Sequence, residues 1–474
     1  MNAIYKKENC SFFSYIIGIA LFVCALLCKE RITSYISAIC FGFYIWHSII
    51  INRNRFFLKY INILIIAVEF LIGVFVCDNT TTWLGEINAT TFYCGAFSLL
   101  TFYYWILFTL LSFIDPFYAK CTKRCKVTVN YLPHRNSISD TIYNYTPNIV
   151  FISGVILFVS VAKNPSFLMH TENRFEYSQL YISRFVNIFR IFPTLFISLY
   201  ASMILNKRIV INKTNIVKIL VSLSPYILFL IWSGNKFGAF SELFLVFVIP
   251  IFAFVELKKE VLGKIIKALL CVILFLVFFL FLYYTLNGDS LVDAYEKIKI
   301  RIACQGELWW KMIALTDDGY SRIEEVGQEI NNILMSIKTE GQSKDYGVYH
   351  LMKLLGNPGT IQSYSTINTR FTSSGIELPF YYFRYVAFII MPLLICPLIA
   401  WINNLYINAV KEERCLASIG SARILLIVSG AITQGDWYVF FSLIPMCCFL
   451  GVFISQVLSK KIMFNNSRSN SIIN

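Results

Sequence analysis

Arginine is the residue type to follow first in this chain, because a guanidinium presents a planar fork of donors that matches phosphate and pyrophosphate without help from a metal. Arg184, Arg190, Arg301, Arg322, Arg370 and Arg384, together with Lys236, stand at the edges of apolar runs or in the one long hydrophilic stretch. They are expected to bind a pyrophosphate-bearing substrate. Among the other ionisable groups, His170 and His350 are the histidines of the alternate loops, either of which could serve as a general base. An ionisable group at membrane depth is expensive and therefore a functional candidate, which draws in Glu242 and Arg423. Each has a plainer reading: Glu69 and Glu242 as buried structural partners, Arg423 as a side chain reaching to the interface, His170 and His350 as solvated imidazoles.

Metal and nucleotide chemistry lack their usual signatures. The sequence holds no CxxC, HExxH or P-loop, and no GxGxxG in a strand-to-helix context. No metal and no cofactor is expected. Most of the 14 cysteines fall in apolar runs, where a thiol packs as a small hydrophobe. Cys304 alone lies in the hydrophilic stretch, so no disulfide framework is expected there, and Cys77 and Cys94, which flank one short loop, are read as unpaired.

The elements that must position these residues follow from composition. The chain has 474 residues, 57% of them hydrophobic and only 14% charged, against about 25% charged in soluble domains. It reads as an all-α integral membrane protein. Apolar runs near 11–28, 32–51, 61–77, 92–114, 147–162, 182–205, 216–232 and 237–255, a ninth ending at 286, and three more at 380–401, 416–433 and 437–458 make about 12 transmembrane helices. The first run is long and ends in Lys29, Glu30 and Arg31 without a small-residue cleavage site, so it is expected to be a span and not a cleaved signal.

A net charge of +14 would suit nucleic acid, but its distribution indicates topology instead. Lys120, Lys123, Arg124 and Lys126 follow the fourth span and Lys258, Lys259, Lys264 and Lys267 the eighth, whereas the alternate loops hold little beyond Lys29, Arg31, Lys163, Arg174, Arg184 and Lys236. The positive-inside rule then predicts cytoplasmic termini and a large extracytoplasmic loop between spans 9 and 10. This divides the chain into a bundle of spans 1–9 (residues 1–286), an outer domain (287–379) and spans 10–12 with a tail (380–474). Helical spacing of Ile323, Val326, Ile330, Leu334 and Ile337, and of Val348, Leu351, Met352 and Leu355, predicts amphipathic outer helices. They are expected to lie over the membrane surface, with Trp309 and Trp310 at the interface, and residues 356–379 to be an irregular loop.

One turn and one loop carry a resemblance. Ser233, Gly234, Asn235, Lys236, Phe237 and Gly238 join two spans, and residues 369–377 run directly into another. With the span count and the single large loop, this pattern resembles the Wzy-type O-antigen and oligosaccharide repeat-unit polymerases, Lys236 standing where that family's turn usually has Arg. Departing from the pattern, Arg301, Arg322 and Arg370 lack a glycine at the spacing found in some members' outer loops, where Met312, Ile333 and Tyr381 stand instead. The resemblance implies a metal-independent glycosyltransferase of the bacterial inner membrane, joining undecaprenyl-pyrophosphate-linked oligosaccharide repeats on its outer face. That reaction needs a base for an acceptor hydroxyl, for which Glu377, Glu307, His350 and Asp436 are the candidates and Glu377, beside Arg370 at the membrane edge, is preferred, so the implied catalytic set is Glu377, Arg370 and His350. Membrane lipids, a chain-length regulator and a flippase are the implied partners, and nucleic acid is not. A lipid-linked oligosaccharide flippase or other transporter and an O-antigen ligase are the alternatives. The first would not need the outer domain and would suit an internal repeat that this sequence lacks, and the second would carry loop motifs rich in His and Arg.

Overall fold

The computed structural model describes residues 2–122, 137–164, 180–206, 212–233, 242–254, 288–315, 322–338, 346–366 and 371–435, with scattered single positions up to 452. In chain order the helices are α1 (Asn2–Leu26), α2 (Ile32–Phe43, continued as a π-helical turn Tyr44–Ile51), α3 (Asn54–Asn79), α4 (Ala96–Cys121), α5 (Ser137–Ala162), α6 (Arg184–Phe189), α7 (Ile191–Leu205), α8 (Lys213–Trp232) and α9 (Ile249–Phe254). They continue as α10 (Leu291–Ala303), α11 (Glu307–Leu315), α12 (Val326–Lys338), α13 (Val348–Leu355), α14 (Pro358–Thr366), α15 (Glu377–Phe383), α16 (Ala387–Lys411) and α17 (Cys415–Gln434). A short hairpin, β1 (Trp83–Leu84) against β2 (Ala89–Thr90), follows α3. The all-α expectation holds. Among the described residues seven helices are long and apolar enough to cross a membrane, the longest running Glu377–Lys411, and Phe13–Leu26, Ile191–Leu205 and Phe244–Phe254 are shorter apolar helices. Most of the expected ninth and twelfth spans lies outside the described residues.

Two compact units divide the chain. The first comprises Met1–Phe113, Val255–Cys396 and Gly430–Trp437, so the hydrophilic stretch shares a unit with the first spans. Its helices α10 and α11 dock on α3 through backbone: a Cβ built at Gly73 would stand 2.6 Å from the Gly306 nitrogen, a distance only two glycines allow. Trp309 donates its indole N–H to the Ala96 carbonyl at 2.8 Å and Trp310 to Phe92 at 2.9 Å. Both rings are only 1% exposed. The expectation that they sit at the membrane interface is thus overturned: in each, an apolar body packs inside the unit and the one polar atom meets a backbone carbonyl at or just before the start of α4. Asp78 closes the same corner, its carboxylate accepting from the Phe97 N–H at 2.8 Å and the Cys94 N–H at 3.2 Å, an anion against a helix N-terminus.

Local chemistry explains two other departures from the sequence reading. Residues 356–379 are not one irregular loop. Pro358 takes the first position of α14, where its missing N–H costs nothing, and Asn357 Oδ1 accepts from the Gly359 N–H at 3.0 Å. The sixth apolar run is two helices, α6 and α7, with Arg190 between them. Pro193 has no N–H to return to the carbonyl of Phe189, which breaks the ladder at that point.

The second unit comprises Ile114–Phe254, Pro397–Ser429 and Tyr438–Asn474. Its core joins α5, α7 and α8 around Tyr143, Tyr200, Tyr226 and Phe229. Buried hydroxyls there find partners, Tyr143 with Ser202 at 3.0 Å, Thr194 with Tyr226 at 2.8 Å and Tyr200 with Ser222 at 2.6 Å. Past the end of α7, Arg208 bridges two carboxylates, Asp140 at 2.9 Å and Glu413 at 2.6 Å, with its guanidinium carbon 4.4 Å from the Tyr143 ring centroid.

Candidate functional site

Tyr381, on α15, gathers several of the groups picked out from sequence. Its hydroxyl donates to Glu325 Oε2 at 2.9 Å and accepts from Arg322 Nη1 at 3.0 Å, and the Arg322 guanidinium also lies over its ring, 5.0 Å from the centroid. The Arg322 backbone N–H bonds to the Tyr382 carbonyl at 3.1 Å, which ties the start of the 3₁₀ turn Ile323–Glu325 to α15. The His350 ring, on α13, stands edge-on to Tyr381 with centroids 5.8 Å apart. Two expected residues far apart in sequence, Arg322 and His350, thus meet one phenol.

The ends of α15 hold two more. At its first turn Glu377 is 1% exposed, and its carboxylate accepts from the Ser373 hydroxyl at 2.9 Å, the Ser374 N–H at 2.7 Å and the Ser374 hydroxyl at 2.8 Å. These bonds fix the carboxylate against the N-terminus of its own helix, as expected of an acid at that position. At the other end Arg384 is 7% exposed, with φ of 52° and ψ of −137°, a conformation costly for any side-chain-bearing residue. Its guanidinium carbon lies 5.9 Å from the Phe380 ring centroid. The strained bend separates α15 from the 3₁₀ turn that leads into α16.

Other expected residues lie elsewhere. Arg301 is exposed on α10. Arg190, in the second unit, faces a carboxylate: it and Arg423 both act electrostatically on Glu242, and its backbone carbonyl accepts from the Tyr226 hydroxyl at 3.1 Å. Glu242 is half-buried there. Arg184 opens α6, capped by Ser183, its side chain lying outside the described residues. Lys236, Arg370, Asp436 and His170 fall outside them as well.

A second cluster brings in a residue the sequence did not single out. Glu86, in the hairpin turn, Cys304, at the end of α10, and Glu307, at the start of α11, hold their carboxylate and thiol ligand atoms within 4.8 Å of one another. Tyr364 on α14 donates to Glu86 Oε1 at 2.7 Å. Burial first, and then the neighbouring Glu86 carboxylate, pushes the Glu307 carboxyl well above the ordinary range; burial likewise raises the Cys304 thiol and the Tyr364 hydroxyl. In sequence Glu86 is one acid in a polar, Thr-rich loop, and only the docking of α10 and α11 on α3 brings it to Glu307. Cys77 and Cys94 are free thiols, as read from sequence.

Residues 341–450 match a protein family of unknown function, DUF6418, in a segment that holds His350, Glu377, Tyr381 and Arg384. No curated protein and no solved structure matches the chain.

Proposed function

We propose that this chain is a membrane-embedded glycosyltransferase that polymerises undecaprenyl-pyrophosphate-linked oligosaccharide repeats, with α15 as the floor of its site. The observation that carries the reading is the gathering of Arg322 and His350 on Tyr381, with the strained, buried Arg384 at the C-terminal end of the same short helix. Backbone strain of that kind persists where surrounding structure over-determines it, and it clusters at functional sites. The likeness of the loop and turn patterns to Wzy-type polymerases supplies the substrate class. In this reading the protein lies in the bacterial inner membrane with about 12 spans, cytoplasmic termini and residues 287–379 on the outer face.

The chemistry needed is modest because a glycosyl pyrophosphate is already activated. The anomeric carbon–oxygen bond to the pyrophosphate of the growing chain breaks, and a bond forms to a hydroxyl of the next lipid-linked unit, whose proton passes to a base. Arg322 and Arg384 stabilise charge on the departing pyrophosphate, aided by Arg370 and Arg301 where these reach it. His350 or Glu377 takes the proton. Glu377 already accepts three hydrogen bonds in this conformation, which a role as base would require it to exchange.

The test is the surface polysaccharide of a deletion strain, resolved by length on a gel and complemented with variants. The expected outcome is a single repeat without a ladder in the deletion strain, full restoration by the wild-type gene, and loss of the ladder with Arg322→Ala or His350→Ala at unchanged protein level. An unchanged ladder in the deletion strain, or loss of even the single repeat, would overturn the polymerase reading, the latter pointing to transport or ligation.

A further inference from the structure

Glu307 poses a problem that the proposed glycosyl transfer does not use. Its side chain is 0% exposed, and neither buried carboxylate oxygen makes a hydrogen bond of normal geometry among the described residues, Glu86 and Cys304 being the polar groups beside it. A buried, unpartnered carboxylate is among the most unfavourable groups a fold can hold, so something must neutralise it. The groups that face it are a second carboxylate, Glu86, and a thiol, Cys304, all three ligand atoms lying within 4.8 Å of one another. A shared proton would satisfy the two carboxylates. The Cys304 thiol would then serve only as a weak S–H donor to Glu307, whereas a cation engages all three groups at once.

The donor set itself fits a cation. Tetrahedral zinc takes oxygen ligands at about 2.0–2.2 Å and thiolate sulfur at about 2.3 Å, so its ligand atoms stand roughly 3.3–3.8 Å apart and the observed spacing needs only a small side-chain contraction. Cys304 and Glu307 are separated by two residues, the spacer of zinc-binding half-sites, and Gly306 between them is pressed against Gly73 so that the turn is held fast. Glu86 comes from a separate segment and is oriented by the Tyr364 hydroxyl at 2.7 Å, the outer-shell support that metal-ligating carboxylates ordinarily have. A thiolate disfavours magnesium and calcium, which take oxygen alone.

We propose that Glu86, Cys304 and Glu307 bind one divalent cation of the zinc class, which clamps the β1–β2 hairpin to the α10–α11 turn. Three protein ligands leave a fourth position, which the half-exposed side at Glu86 opens to water. The cation ties together three segments distant in sequence, including α14 through Tyr364. This inference stands independently of the glycosyltransferase reading.

The full-length protein, purified in detergent and stripped with a chelator, is dialysed against zinc or cobalt(II). Wild type is expected to retain about one equivalent of zinc and, with cobalt, to show the near-ultraviolet thiolate-to-metal band and the visible bands of a tetrahedral site. Cys304→Ser should lose the thiolate band, Glu86→Gln and Glu307→Gln should lose most of the bound zinc, and zinc should raise the unfolding temperature of wild type but not of Glu307→Gln. Failure of wild type to retain zinc, with stripped wild type and Glu307→Gln equally stable, would show a shared proton only and overturn the proposal. Full retention by all three variants would place the metal elsewhere and also overturn it. Should a variant fail to fold, the wild-type titration and the cobalt spectrum decide alone.

Discussion

Glu377 and Tyr381 sit four residues apart on the same short helix, and their hydrogen bonds determine what each substitution does. Glu377→Gln removes the charge that strengthens three bonds from Ser373 and Ser374 and forces an amide N–H toward one of those donors. A loss of about 1–2 kcal/mol is expected, read as a lowered unfolding temperature in detergent. Loss of activity at unchanged stability would instead mark Glu377 as a base and not a cap. Tyr381→Phe deletes the hydroxyl that joins Arg322 to Glu325 and should cost about 1 kcal/mol while leaving the Arg322 guanidinium over the ring. If Arg322 serves a pyrophosphate, this variant should shorten the polysaccharide ladder without abolishing it; an unaltered ladder would dismiss the phenol as a positioning residue.

Elements in this fold are joined at points where little can yield. The docking of α10 and α11 on α3 rests on two glycines whose backbones touch, so Gly73→Ala would place a methyl 2.6 Å from one backbone nitrogen and 2.9 Å from the Ile302 carbonyl oxygen. Neither is a flexible side chain. Overpacking of about 1–3 kcal/mol is expected, seen as lower protein yield and lower unfolding temperature; a neutral result would mean that the turn at Gly306 shifts freely. In the second unit Arg208 holds α5 to the turn after α16 through Asp140 and Glu413, all three side chains partly buried. Arg208→Ala leaves two carboxylates facing each other and should cost about 2–3 kcal/mol, between the values for exposed and buried pairs. Arg208→Lys should recover only part of this, because a single ammonium lacks the fork that serves both acids.

For the whole molecule the exposed prediction is topological. Charge asymmetry between alternate loops predicts that residues 287–379 lie outside, so a reporter fused at Ser343 should behave as extracytoplasmic, and fusions near Lys123 and Lys258 as cytoplasmic. Cytoplasmic behaviour at Ser343 would reverse the orientation and remove the outer-face chemistry proposed for Arg322 and His350. Helices such as Arg55–Asn79 and Glu377–Lys411 are apolar over a full bilayer's length, as a membrane protein requires.

Much of the fold was legible because hydropathy over a long window is a local property: helix after helix follows from the need to satisfy backbone groups where no water is present. The amphipathic spacing of Val348, Leu351, Met352 and Leu355 likewise announced α13, and all but Leu355 are buried. Arg322, His350, Glu377 and Arg384 were singled out from residue type and from their place relative to the apolar runs. That the first two share Tyr381, that Glu377 caps its own helix, and that Arg384 bends the chain in a strained conformation were decided by packing, for which single residues carry no periodic signal. Trp309 and Trp310 show the limit clearly. An indole suits an interface and a core equally well, and only the carbonyls of Phe92 and Ala96, brought near by the close approach of Gly73 and Gly306, decided for the core. The same approach made a neighbour of Glu86 and Glu307, a pairing between distant segments that depends on tertiary contact and leaves no trace in local sequence.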